Sequence, residues 1–192
     1  MREPLFTWAN VTTMTRIVAG VAIFAYAAAT RSATWNYVGL GVFWTLDILD
    51  GFLARTLDEE TRFGAQLDIL ADRLLAAFFY LNYVALYPQL VVPAALFLVH
   101  FMLLDQFLSN QFMRWPIKSP NYFYSVDREI WWWNWSSMGK VFNSAIVTVV
   151  MIATKSPVWS SVACIIVMAV KAKTALRMRG LTPPEHSWPR VG

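Results

Sequence analysis

Residues 33–87 read ATWNYVGLGVFWTLDILDGFLARTLDEETRFGAQLDILADRLLAAFFYLNYVALY. Two apolar runs, about 33–54 and 63–87, are each long enough to cross a bilayer as a helix, which takes roughly 20 residues. Asp47, Asp50, Asp68 and Asp72 sit at the facing ends of these runs. An ionisable group at membrane depth costs about 3 kcal/mol even on the lenient insertion scale, so its presence points to function. At about 100° per residue, Asp47, Asp50, Gly51, Ala54 and Arg55 fall on one helical face. Gly64, Asp68 and Asp72 are spaced four apart and share another. The short segment between the runs predicts antiparallel packing that brings the two faces, and all four carboxylates, together.

Four carboxylates do not all stay ionised in a low-dielectric site without a cation. An all-oxygen donor set favours a hard divalent ion, Mg²⁺ or Mn²⁺. Two such ions sharing these ligands suit a displacement at phosphorus. Gly51 and Gly64 lack side chains where a phosphate would approach the backbone, and Arg55 is placed to neutralise it. The competing reading is a structural Asp–Arg network. A cation-conducting or transport protein is a second functional class, because acids within spans also line ion paths. Such a path needs polar groups through the whole bilayer, and here the outer halves of the runs are apolar.

Outward from this stretch, further apolar runs cover about 12–30, 89–108, 139–154 and 157–176, six in all with the two above. The 192 residues are 57% hydrophobic, 16% aromatic and only 15% charged. A soluble domain carries about a quarter charged residues. The chain is therefore expected to be an all-α polytopic membrane protein, a single domain over 1–192 without internal repeats. Pro4–Trp8 reads as a short amphipathic lead-in along the interface. No small-residue cleavage site follows the first apolar run, so no cleavable signal peptide is expected. The single cysteine, Cys164, allows no intramolecular disulfide.

Six spans put both termini on one side. That side would hold Arg2, Arg16, Arg55, Arg62, Arg114, Lys118, Arg128, Lys140, Lys171, Lys173, Arg177, Arg179 and Arg190, against Arg31 and Lys155 on the other. Thirteen against two predicts a cytoplasmic location for the termini, for segments 55–63 and 109–139, and for the acid cluster. The net charge of +4 is then a topological signal and not a nucleic-acid footprint.

Residues 47–72 also resemble the CDP-alcohol phosphatidyltransferase signature D-x2-D-G-x2-A-R-x8-G-x3-D-x3-D, with Asp47, Asp50, Gly51, Ala54, Arg55, Gly64, Asp68 and Asp72 filling every specified position. Asn10–Arg16 resembles the family's N-terminal Asn…Thr-x-x-Arg segment. Ser137-Met138-Gly139-Lys140 is similar to its Gly-Lys step, although Val141-Phe142-Asn143 follows where Lys-Thr is usual. The resemblance implies an integral membrane enzyme, in an inner or plasma membrane, that transfers a phosphatidyl group from CDP-diacylglycerol to a hydroxyl acceptor and releases CMP. It implies two divalent ions on Asp47, Asp50, Asp68 and Asp72, with Asp72 as general base, and a homodimer. It implies contacts to the CDP moiety from Gly51, Ala54, Arg55, Gly64, Asn10 and Thr13.

The acceptor is read as glycerol 3-phosphate from the family's common bacterial acceptor. Phosphatidylglycerol, inositol phosphate, serine and choline are the alternatives. A phosphorylated acceptor needs cations, and Arg73, Arg114, Lys118, Arg128 and Lys140 are the candidates. Residues 109–139 read as an unusually long loop carrying Trp131-Trp132-Trp133-Asn134-Trp135. That cluster is expected to anchor at the interface, with a cage for a quaternary ammonium as the alternative. Asp105 is expected either to meet the acceptor or to be solvated at the interface.

Overall fold

The computed structural model describes residues 3–184, apart from the side chain of Ser144; Arg2 and Arg190 lie outside it. All regular structure among the described residues is helical. Helices α1 (Trp8–Thr30), α2 (Ala33–Thr56) and α3 (Arg62–Leu86) are followed by α4 (Val91–Val99), α5 (Gln106–Asn110), α6 (Arg128–Asn134), α7 (Ser137–Lys140), α8 (Ile146–Thr154) and α9 (Pro157–Arg179). Five helical stretches are long and apolar enough to cross a membrane: α1, α2, α3, Pro88–Arg114 and α9. Ser137–Asn143 with Ile146–Thr154, bent by 41°, makes a sixth if it is one span. The expectation of a polytopic all-α membrane protein is met.

The helix starts are written in the sequence. Thr7, Ser32, Thr61 and Ser156 each accept a hydrogen bond from the backbone N–H three residues on, satisfying a donor the helix leaves open. Pro157 occupies the first turn of α9, where a missing N–H costs nothing. Thr7 as cap makes Trp8 the first residue of α1, so the lead-in ahead of it is non-helical, with Phe6 94% exposed.

The chain divides into two compact units, residues 1–94 and 95–192. In the first, α1 packs along both α2 and α3. Phe24, Phe43, Leu75, Phe79, Tyr80 and Tyr83 form its apolar core. Asn36 Nδ2 donates to the Phe79 carbonyl at 3.2 Å, and Asn82 Nδ2 to the Phe24 carbonyl at 2.8 Å. On α2, Ile48, Leu49 and Phe52 are exposed while Asp50 is buried. Polar side in and apolar side out suits a helix whose outer solvent is lipid.

In the second unit, residues 109–136 fold where the sequence predicts a long loop. Short 3₁₀ turns (Gln111–Arg114, Pro120–Ser125) and α6 carry Trp115, Phe123, Ile130 and Trp135 into one core with Leu108, Ala175 and Met178. The aromatic content missed as a folding signal supplies that core. The Trp cluster is correspondingly divided: Trp135 is buried, Trp131 donates through Nε1 to the Asn121 carbonyl at 2.8 Å, and Trp132 is 52% exposed. Gly139 lets α7 approach α6 closely, because a Cβ there would stand 2.5 Å from the Trp132 carbonyl oxygen. Two π-helical turns, His100–Asp105 and Val141–Ala145, interrupt the longer helices. Asn143, at the position where the sequence departs from the expected pattern, donates from the second π turn to the carbonyls of Trp133 at 2.5 Å and Gly139 at 2.6 Å.

Candidate active site

The site lies in the first unit and is built by three helices, where sequence spacing anticipates two. α2 presents Asp47 and Asp50 one turn apart, and α3 presents Asp68 and Asp72 one turn apart. One carboxylate oxygen from each of Asp47, Asp50 and Asp68 lies within 4.8 Å of the other two. Between them, α1 inserts Arg16, whose side chain has 0% exposure. Its Nη1 pairs with Asp47 and stands 3.5 Å from Asp72 Oδ1, its Nη2 donates to Asp68 Oδ1 at 2.7 Å, and its Nε is 3.6 Å from Asp50 Oδ2. One guanidinium thus faces four carboxylates, a formal charge of −3 if all are ionised.

Sequence reasoning counts Arg16 among the charges of the cytoplasmic side without a role at the acids, and the structure adds that role. The signal was present, since Asn10, Thr13 and Arg16 recur every third residue on one face of an otherwise apolar helix. Lys171, counted the same way, is buried and paired with Asp105 in the second unit.

The remaining residues of the signature cluster around the acids or beside them. The Thr13 hydroxyl donates to Asp50 Oδ2 at 2.9 Å, fixing that carboxylate from α1. A Cβ on Gly64 would stand 2.7 Å from Asn10 Oδ1, so this glycine admits the Asn10 amide to the start of α3. Asn10 Nδ2 donates in turn to the Leu5 carbonyl at 2.8 Å. Gly51 leaves room for Arg55, whose Nη1 would be 3.3 Å from a Cβ at that position. Ala54 shares this face of α2 and is half-buried. Glu59 Oε2 accepts from the Ala9 N–H at 3.2 Å, tying the loop after α2 to the first turn of α1, where a carboxylate is favoured.

Of the candidate acceptor cations, Arg73 is buried on α3 directly after Asp72. Arg114, Lys118, Arg128 and Lys140 are exposed on separate elements of the second unit. Arg114 donates to Gln111 Oε1 at 3.0 Å and lies 5.6 Å from the Trp115 ring centre. Asp105 neither reaches solvent nor stands unpaired: it is buried on the π turn, holds Lys171, and lies 3.4 Å from Ser109 Oγ. A cleft of about 420 Å³ in the second unit is lined by Trp115, Pro116, Ile117 and Val126 among others, with no charged side chain among the described residues that line it.

The donor chemistry of the first-unit cluster fits a divalent ion. All its ligand atoms are carboxylate oxygens, three acids already converge, and the Arg16 guanidinium among them offsets only one of four carboxylate charges. In addition, Asp72 Oδ1 is buried without a hydrogen bond. A buried carboxylate oxygen left so is costly unless a further ligand completes it.

A family model of the CDP-alcohol phosphatidyltransferases matches residues 6–119. The chain belongs to that family. The match contains α1, α2 and α3 with the whole acid cluster, and it crosses the boundary between the two units. Among curated relatives, the CDP-diacylglycerol–inositol 3-phosphatidyltransferase of Candida albicans is 36% identical over 77 residues, 40% of this chain and 33% of that protein. The CDP-diacylglycerol–glycerol-3-phosphate 3-phosphatidyltransferase of Cereibacter sphaeroides is 33% identical over 95 residues, 46% of this chain and 43% of its own. The inositol enzyme of Rattus norvegicus is 48% identical over 44 residues, 23% of this chain and 21% of that protein. The chain thus spans less than half the length of each relative. No solved structure matches.

Proposed function

We propose that this CDP-alcohol phosphatidyltransferase, working as one domain over the whole chain, moves the phosphatidyl group of CDP-diacylglycerol to a hydroxyl acceptor and releases CMP. The observation that carries the reading is the convergence of all four signature aspartates around the buried Arg16. Asp47, Asp50, Asp68 and Asp72 would hold divalent Mg²⁺ or Mn²⁺. When bound, such ions neutralise phosphate charge and act as Lewis acids toward phosphoryl oxygens.

The chain's own residues account for the rest. Asp72 takes the proton of the acceptor hydroxyl on its unpartnered Oδ1 as the hydroxyl oxygen attacks the phosphatidyl phosphorus. A new P–O bond forms, the P–O bond to CMP breaks, and CMP leaves with the bonding pair. Thr13 holds Asp50 in place from α1. Arg55, beside Gly51, faces the nucleotide's phosphates, with Asn10, Gly64 and Ala54 completing that contact. Acyl chains stay in lipid against the apolar outer faces, exemplified by the exposed Ile48 and Phe52. The positive-inside asymmetry supports a cytoplasmic site in an inner or plasma membrane, and the family supports a homodimer.

For the acceptor we propose glycerol 3-phosphate, supported by the Cereibacter relative, whose 95-residue match is longer than that of the Candida or rat protein. Inositol, or inositol phosphate, is the second reading, favoured by the names of those other two. Arg73, Arg114, Lys118, Arg128 and Lys140 are the cations proposed to meet an acceptor phosphate. The test is CMP release by purified protein from CDP-diacylglycerol with Mn²⁺ or Mg²⁺ and a panel of glycerol 3-phosphate, inositol, inositol phosphate, serine, choline and phosphatidylglycerol. Release that needs glycerol 3-phosphate is expected. Release only with inositol or its phosphate replaces the first acceptor by the second, and none with any acceptor defeats the reading.

A further inference from the structure

The residue that makes the acid cluster unusual is the cation at its centre. Arg16 is completely buried, and its three nitrogens are distributed over Asp47, Asp50, Asp68 and Asp72. No one carboxylate receives the paired fork-on-fork bonds that make an Arg–carboxylate bridge strong. Its Nε is buried without a hydrogen bond, although Asp50 is 3.6 Å away. The guanidinium therefore lies among the carboxylates as a shared positive charge, steadied from the apolar side by the Phe43 ring 5.7 Å away. It faces the same three acids, Asp47, Asp50 and Asp68, whose oxygens converge tightly enough to share an ion.

We propose that Arg16 is a resident counter-cation, a positioning residue that keeps the acid cluster assembled in the metal-free protein and lowers its affinity for divalent ions. This rests on the metal-dependent reading above. Without Arg16 the cluster carries four negative charges, and mutual repulsion at these separations disfavours the folded state unless cations enter. With it, one of these charges is offset, and the cluster still draws in divalent ions but less strongly. A metal ion and Arg16 make claims on the same carboxylates, Asp47 and Asp68, so each weakens the hold of the other. The arrangement permits ions to exchange without the cluster springing apart.

The experiment compares wild type, Arg16→Gln and Arg16→Lys in detergent. Mn²⁺ affinity is read by paramagnetic resonance, and thermal unfolding is followed in EDTA and in saturating Mn²⁺. Removing a unit charge a few ångströms from a divalent ion is expected to tighten Mn²⁺ binding in R16Q on the order of tenfold or more. R16Q should melt well below wild type in EDTA, and the gap should narrow in Mn²⁺. R16K keeps the charge with fewer donors, so its Mn²⁺ affinity should stay near wild type. Unchanged or weaker Mn²⁺ binding in R16Q, or an equal drop in melting temperature with and without Mn²⁺, overturns the proposal while leaving the metal reading intact. Absence of Mn²⁺ binding by the wild type defeats the metal reading itself. If R16Q cannot be recovered folded, R16K decides through its melting alone: a loss in EDTA restored by Mn²⁺ supports the proposal, and an equal loss in both overturns it.

Discussion

The two units each bury a cation among acids, and they do so in opposite ways. In residues 95–192 one lysine meets one aspartate: Lys171 of α9 pairs with Asp105 on the π turn, both withdrawn from solvent. In residues 1–94 one arginine meets four aspartates. The first arrangement pairs one charge with one. The second sets one central guanidinium against four carboxylates, and Asp72 Oδ1 there makes no hydrogen bond. Burial of charge alone does not mark a functional site; burial of unbalanced charge does. A neutral pair is also weak evidence of stabilisation, because desolvating two ions costs about as much as their attraction returns.

The contrast can be broken most directly at Asp72. Asp72→Asn is expected to lower CMP release by about 10²–10⁴-fold while CDP-lipid binding stays largely intact, read by single-turnover kinetics and a binding assay. Near-normal turnover would remove Asp72 from the general-base role. On the neutral side, Lys171→Met leaves Asp105 buried without its cation, a loss of about 3–5 kcal/mol. The double change Lys171→Met with Asp105→Leu should recover most of that, since a hydrophobic pair fills the space without desolvated charge. If the double variant melts as low as the single one, the pair is more than a closed ionic contact.

Metal withdrawal separates the units without mutating the cluster. A ligand at a hundred times its dissociation constant stabilises the folded state by about 2.7 kcal/mol, so wild type should melt lower in EDTA than in excess Mn²⁺. The Lys171/Asp105 double variant should show the same shift. A smaller effect distinguishes the two close glycine approaches. Gly139→Ala drives a Cβ into the backbone carbonyl of Trp132 and should cost about 1–3 kcal/mol. Gly64→Ala meets the end of the Asn10 side chain, which can swing away. It should lower CMP release several-fold with little change in melting. Equal stability losses would mean that Asn10 is fixed as firmly as a backbone.

Much of this was legible beforehand, for identifiable reasons. Apolar runs of membrane length predict α2 and α3 to within a few residues, since nothing in lipid competes with a helix for the backbone hydrogen bonds. The four aspartates stand out because acids are rare in such runs and their spacing repeats at helical period. Arg16 and Lys171 escaped because a lone basic residue near a span end looks the same in sequence whether it faces water or a buried acid. Asp105 was ambiguous for the same reason, with its partner 66 residues away. The folded segment 109–136 was hidden by its short turns, which have too few residues for any period to emerge. Its Trp131–Trp135 cluster, expected to anchor at the interface, divides between core and surface.

The claim on which everything else stands is that unbalanced carboxylate charge in the first unit holds divalent ions. Titrating Mn²⁺ into wild type, Asp68→Asn, and the Lys171→Met/Asp105→Leu protein, with bound ions counted by paramagnetic resonance, tests it directly. About two ions per chain are expected in wild type and in the Lys171/Asp105 variant, with clear loss in Asp68→Asn. No bound Mn²⁺ in wild type, or full occupancy in Asp68→Asn, would contradict it.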